Sequence, residues 1–142
     1  MHYLANFEQD GDGYLVTFPS LPEAITGGKT WREAFDKAVD ALEVVLLTYA
    51  KDGREIPPND KRSSAPDGVL VVPSAHVMAK IAFIEAFRGS ELTRVALAKR
   101  LGKVESEVRR MLDPYHATKL TALEDAMKVL GKRLVVTVED DL

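Results

Sequence analysis

Thr93-Arg94-Val95-Ala96-Leu97-Ala98-Lys99-Arg100-Leu101-Gly102-Lys103-Val104-Glu105-Ser106-Glu107-Val108-Arg109-Arg110-Met111 is the stretch on which the organisation of this chain turns. Its apolar positions predict two short helices joined by a tight turn, with Leu97, Leu101, Val108 and Met111 as their shared core. Ala98 is small where two steeply crossing helices must approach, and Gly102 stands where the turn needs a positive φ. The far side of the second helix then carries Glu105, Ser106, Arg109 and Arg110. Such a helix fits the DNA major groove, where Arg takes guanine by two hydrogen bonds and Glu accepts from cytosine N4. An ordinary helical hairpin would need only the apolar residues; the basic surroundings and the flanking helices favour DNA binding. Arg94 opens the first helix, and Thr118 and Lys119 open a later one, where amide groups and short polar side chains hold phosphates.

On either side the period stays helical. Val77, Ile81, Ile84 and Phe87 mark a helix stopped near Gly89, and residues from about Thr118 to Leu130 form another, ended by Gly131. Leu134-Val135-Val136-Thr137-Val138 is a β-branched run and reads as a short C-terminal strand. It has an apolar face and unpaired edges, so we expect it to pair with its copy across a twofold axis.

Towards the N-terminus the pattern changes. Tyr3–Phe7 and Tyr14–Phe18 are aromatic-rich, partly alternating runs around Asp10-Gly11-Asp12-Gly13, which predicts a β-hairpin. Ala24-Ile25-Thr26 before Gly27-Gly28 reads as a third strand. Thr30-Trp31-Arg32-Glu33 fits a capping box, and the helix after it carries a stripe of Trp31, Phe35, Val39, Leu42, Leu46 and Tyr49 that needs a sheet to cover it. Asp52 to Asp67 reads as a loop, and Gly68-Val69-Leu70-Val71-Val72-Pro73 as a short buried strand that returns to the sheet as its fourth. The fold class expected is therefore α+β: a β-β-β-α-β module over residues 1–73, then an all-α helix-turn-helix domain over 74–142 ending in a short strand.

The chain has 142 residues, no cysteine and a formal charge of −3. The absence of cysteine excludes disulfides, thiolate catalysis and Cys-ligated zinc, and suits a reducing cytoplasm. We read no secretory signal and no membrane span. The near-neutral total is a cancellation: residues 1–73 hold 7 Lys/Arg against 12 Asp/Glu (−5), and residues 74–142 hold 12 against 10 (+2). Within the second half, residues 91–133 hold 10 against 6 (+4).

Catalytic and metal-binding arrangements are missing. Asp10 and Asp12 belong to a turn and lack the further ligands of a calcium loop. Asp36 and Asp40 share a solvated helix face with Arg32, Lys37 and Glu43. His2, His76 and His116 have no metal-ligand spacing, Ser63-Ser64 has no catalytic context, and Gly11, Gly13, Gly27 and Gly28 form no phosphate cradle leading into a helix. We therefore expect a binding protein rather than an enzyme, with no cofactor and no metal.

The chain as a whole resembles the HicB antitoxins. The resemblance is carried by Asp12-Gly13-Tyr14-Leu15-Val16-Thr17-Phe18-Pro19-Ser20-Leu21-Pro22-Glu23-Ala24 and by Gly28-Lys29-Thr30-Trp31-Arg32-Glu33-Ala34, which matches the family's Gly-x-Thr-x-x-Glu-Ala. The long helix, Ile56-Pro57 and Val71-Val72-Pro73 follow in family order. The C-terminal part looks like the variant with an Xre-type helix-turn-helix, including His116-Ala117-Thr118-Lys119. The resemblance implies a partial RNase H-like module without nuclease carboxylates, which binds and neutralises HicA, a small mRNA-cleaving toxin. It also implies a C-terminal domain that represses the system's own operon by binding operator double-stranded DNA. By family position Glu105, Ser106 and Arg109 face bases, while Arg94, Lys103, Arg110, Thr118 and Lys119 contact the backbone. The toxin-contact residues lie somewhere within 1–73, and the assembly is a homodimer or homotetramer in the cytoplasm. Two further readings stand beside this one: a stand-alone transcription factor with an N-terminal ligand- or protein-sensing module, and an RNA-processing enzyme built on the RNase H-like part.

Overall fold

The computed structural model describes residues 1–61 and 67–140; Ser63-Ser64 and Asp141 lie outside them. It is a mixed α+β structure of two compact units, Met1–Met78 and Ala79–Leu142. Their boundary falls inside a helix rather than at Pro73/Ser74.

The first unit contains β1 (Tyr3–Asp10), β2 (Gly13–Thr17), β3 (Ile25–Gly28), α1 (Trp31–Asp52) and β4 (Val69–Val71). The sheet order is β3-β2-β1-β4, every neighbouring pair antiparallel. The hairpin expected at Asp10–Gly13 forms, with those two residues paired. Gly11 has φ +58° and Asp12 has no positive φ, the pattern of a type II′ turn. The third strand begins at Ile25, not Ala24, because the Ala24 amide donates to the Leu21 carbonyl at 2.9 Å in a turn.

Thr30 caps α1 as expected, its hydroxyl accepting from the Glu33 amide at 3.1 Å. Glu33 departs from the capping box: its carboxylate accepts from the Lys29 amide at 3.0 Å instead of the Thr30 amide. The buried face of α1 is Ala34, Ala38, Leu42, Val45, Leu46, Tyr49 and Ala50, rotated from the expected stripe at its N-terminal end. The reason is the approach of the backbones. A Cβ on Gly28 would stand 2.5 Å from the Ala34 amide nitrogen, so β3 and α1 meet where neither can carry bulk. Trp31 is displaced to the rim, 42% exposed, and stacks between Phe7 and Phe35 at 5.3 Å from each ring.

After the helix, Asp60 ties the chain back to the sheet. Its carboxylate accepts from the Leu4 amide at 2.8 Å and from the Ser20 hydroxyl at 2.5 Å, while Tyr3 donates to the Pro57 carbonyl at 2.7 Å. Nearby, Tyr49 and Arg54 both donate to Glu23, and the Arg54 guanidinium lies 3.7 Å over the Tyr49 ring. These bonds, that from Tyr49 first, lower the Glu23 pKa.

α2 (Ala75–Arg88) leads into the second unit, which holds α3 (Arg94–Leu101), α4 (Glu105–Met111) and α5 (Leu120–Val129). Ala79 and Phe83 of α2 join Leu97, Ala98, Val108, Met111, Leu123, Ala126 and Met127 in one core. The C-terminal strand expected at Leu134–Val138 does not form: residues 132–140 carry no ladder. A strand needs an edge to pair with, and within its own unit this run meets only helices. Leu134 packs on the helical core, while Val135, Val136 and Val138 are exposed. Among the described residues, no helix is long and apolar enough to cross a membrane.

Candidate nucleic-acid interface

α3 and α4 are joined as their spacing requires. Thr93 caps α3, its hydroxyl accepting from the Ala96 amide at 3.1 Å. Gly102 takes φ +67°, and Lys103 donates its amide to the Ala98 carbonyl at 2.9 Å, closing the helix and turning the chain at once. Leu97, Ala98, Val108 and Met111 are buried along the shared face. In α4 the acidic residues Glu105 and Glu107 occupy the first turn and Arg109 and Arg110 the last, the order that the helix dipole favours.

The eight residues expected to face nucleic acid fall into two groups, with Ser106 exposed beside them. In the first, one Glu105 carboxylate serves two arginines: Oε2 accepts from Arg109 Nη2 at 2.6 Å, and Oε1 lies 3.4 Å from Arg94 Nε. Arg109 is thereby held against α4 one turn below the carboxylate, and Arg94 is drawn from α3 to the same point.

The second group surrounds a cleft of about 230 Å³ between α4 and the start of α5. Lys103, Arg110, Thr118 and Lys119 all line it, together with the acidic Glu107 and with His116, which the spacing did not single out. Lys103 is 3.5 Å from Glu107 Oε2. Among the described residues Arg110 and Lys119 form no ion pair, so both keep their cationic groups available. Lys119 is the cap position of α5, and no side chain caps the amides that follow it. With Glu107 offset by Lys103, the cations of Arg110 and Lys119 and the open amides can hold an anion.

One contributor was missed. Lys80 of α2 is only 4% exposed, and its ammonium donates to the Met111 carbonyl at 2.8 Å and to Thr118 Oγ1 at 2.6 Å. Burial lowers its pKa to about 8, against the opposing pull of Asp113. A signal was present: Lys80 follows Val77 by three residues and precedes Ile84 by four, inside the apolar stripe of its helix.

No protein-family profile matches the chain. It is 40% identical over 122 residues to the antitoxin HicB of Escherichia coli K12, covering 86% of this chain and 87% of that protein. It is 35% identical over 134 residues to antitoxin HicB 2 of Photorhabdus laumondii, covering 94% of each. The antitoxin HicB of Pseudomonas fluorescens Pf0-1 is 35% identical over 137 residues, 96% of this chain and 93% of the relative. Among solved structures, the N-terminal domain of Burkholderia pseudomallei antitoxin HicB is similar over 53% of this chain and 98% of that domain, at 19% identity and a TM-score of 0.45. With identities of 35–40% running through nearly the whole of both units, the chain belongs to the HicB antitoxin family.

Proposed function

We propose that this protein is the antitoxin of a toxin–antitoxin pair: it binds and neutralises a HicA-type mRNA-cleaving toxin and represses its own operon by binding the operator. The carrying observation is the 35–40% identity to HicB antitoxins over most of the chain. In this reading the N-terminal unit, a partial RNase H-like fold, meets the toxin, and its balance of −5 over residues 1–73 suits a basic partner. No catalytic step is assigned to either unit, and the protein works in the cytoplasm.

The second unit is read as a helix-turn-helix in which α4 enters the major groove. Arg109 and Ser106 reach bases, Arg94 binds the backbone, and Lys103, Arg110, Thr118 and Lys119 hold phosphates. The φ of Gly102 and the convergence of those four residues on one cleft support this. Repressors of this kind read two half-sites, so a homodimer or a homotetramer is expected. The exposed run Leu134–Val138, which lacks a partner edge in its own unit, is offered as the pairing strand between copies.

Co-expression with the neighbouring reading frame tests the proposal. Growth is expected to be rescued by the antitoxin, and the purified protein is expected to retard DNA from upstream of its own gene. Rescue without retardation would leave an antitoxin that is not a repressor. Retardation without rescue would favour a stand-alone transcription factor with a sensing N-terminal unit.

A further inference from the structure

We propose that Lys80 is a positioning residue for operator binding, acting through the Thr118 hydroxyl on the DNA phosphate held in the cleft between α4 and α5. The inference rests on the DNA-binding reading above and adds to it a residue that lies beneath the surface.

A threonine hydroxyl has one proton to donate and two lone pairs to accept with. In Thr118 a lone pair is occupied from below by the Lys80 ammonium at 2.6 Å. The hydroxyl proton must therefore lie elsewhere, and among the described residues none accepts it. Thr118 lines the cleft, so its donor is left for a ligand there. A phosphate oxygen suits that place: it accepts only, Arg110 and Lys119 stand around it without ion-pair partners among the described residues, and the one carboxylate in the lining, Glu107, is offset by Lys103 at 3.5 Å. A cation behind the hydroxyl strengthens its donation and adds charge to the floor of the cleft.

The second bond of Lys80 fixes where this happens. Its ammonium also donates to the carbonyl of Met111, the last residue of α4, at 2.8 Å. One buried group thus ties the end of the helix read as base-contacting to the residue read as phosphate-contacting. The backbone anchor and the reading helix are held in register, which is how phosphate contacts set the orientation of a reader. Burial lowers the Lys80 pKa to about 8, and the two hydrogen bonds hold the ammonium in place against that desolvation cost.

The test uses the full-length protein and a duplex from upstream of its own gene, with affinity measured across a salt series. Thr118→Val, at a half-buried surface position, is expected to keep the fold and to lose about tenfold in affinity per half-site, as for a hydrogen bond to a charged group. Its salt dependence is expected to fall little, since no charge leaves. Lys80→Met is expected to lose at least as much and to lower the salt slope by about one per half-site. The double variant is expected to be no weaker than Lys80→Met, because both act through one bond. Thr118→Val binding like the wild type would overturn the proposal whatever Lys80→Met does. Strictly additive losses, or a Lys80→Met variant that melts early but binds with an unchanged slope, would leave Lys80 a structural residue and overturn it as well. If the wild type fails to bind the duplex, the DNA-binding reading itself fails, and the two failures are thereby distinguished.

Discussion

Arg109 Nη2 lies 2.6 Å from Glu105 Oε2, one helical turn back on α4, and that carboxylate also faces Arg94 from α3. The residue read as the base contact is therefore held by a neighbour before any ligand arrives. Exposed ion pairs contribute little to stability, so the consequence is one of orientation and local charge.

Replacing Glu105 by Gln removes one negative charge and loosens both arginines. Thermal unfolding is expected to shift little, by less than about 1 kcal/mol. Affinity for a random duplex at low salt is expected to rise about fivefold, the scale of one unit charge at short range in water. Discrimination between the operator and random DNA is expected to narrow. Unchanged discrimination in competition binding would contradict an orienting role.

Arg109→Ala is expected to weaken operator binding by about 1–3 kcal/mol while growth rescue against the toxin survives. The two activities are assigned to separate units, so equal loss of both would contradict the division. Gel retardation and growth curves on the same variant decide it.

Lys80 links pH to stability with a definite sign. Its folded pKa of about 8 lies below the unfolded value, ~10.4 for a lysine. Between those values the unfolded chain binds more protons, so stability rises with pH across that window. Deprotonation leaves two N–H donors, enough for Met111 and Thr118. The melting temperature of the wild type relative to Lys80→Met is expected to climb between about pH 8 and pH 10. A flat difference would mean that the ammonium bears no burial cost.

Gly28→Ala tests the packing of the first unit. The new Cβ would stand 2.5 Å from the Ala34 amide nitrogen, backbone that cannot move aside without shifting α1. A loss of about 1–3 kcal/mol is expected from urea unfolding, as for an overpacked core. Gly11→Ala is a useful comparison, because space there is open and only φ +58° opposes it.

Removing residues 133–142 is expected to shift sedimentation towards the monomer and to weaken operator binding. If both stay unchanged, Leu134–Val138 is not the pairing strand.

Local chemistry was enough for much of this fold. The Asp10–Gly13 hairpin, the Thr30 cap and the Gly102 turn depend on residues within a few positions of one another, and each stands where its residue types require. The division of charge between the halves is likewise additive along the chain. What the sequence left open involves distance along the chain. The face of α1 that is buried depended on how closely β3 approaches, which a helical period cannot register. The ladder expected at Leu134–Val138 failed because a strand is defined by its partner, not by its own β-branched residues. The position of Lys80 inside an apolar stripe marks it for burial, but only folding brought Met111 and Thr118 to its ammonium, 31 and 38 residues away. Periodicity determined which segments are helices and which could be strands; only the tertiary structure decided which strands found a partner and which polar groups were left to meet a ligand, because pairing, burial and hydrogen bonding are settled between segments.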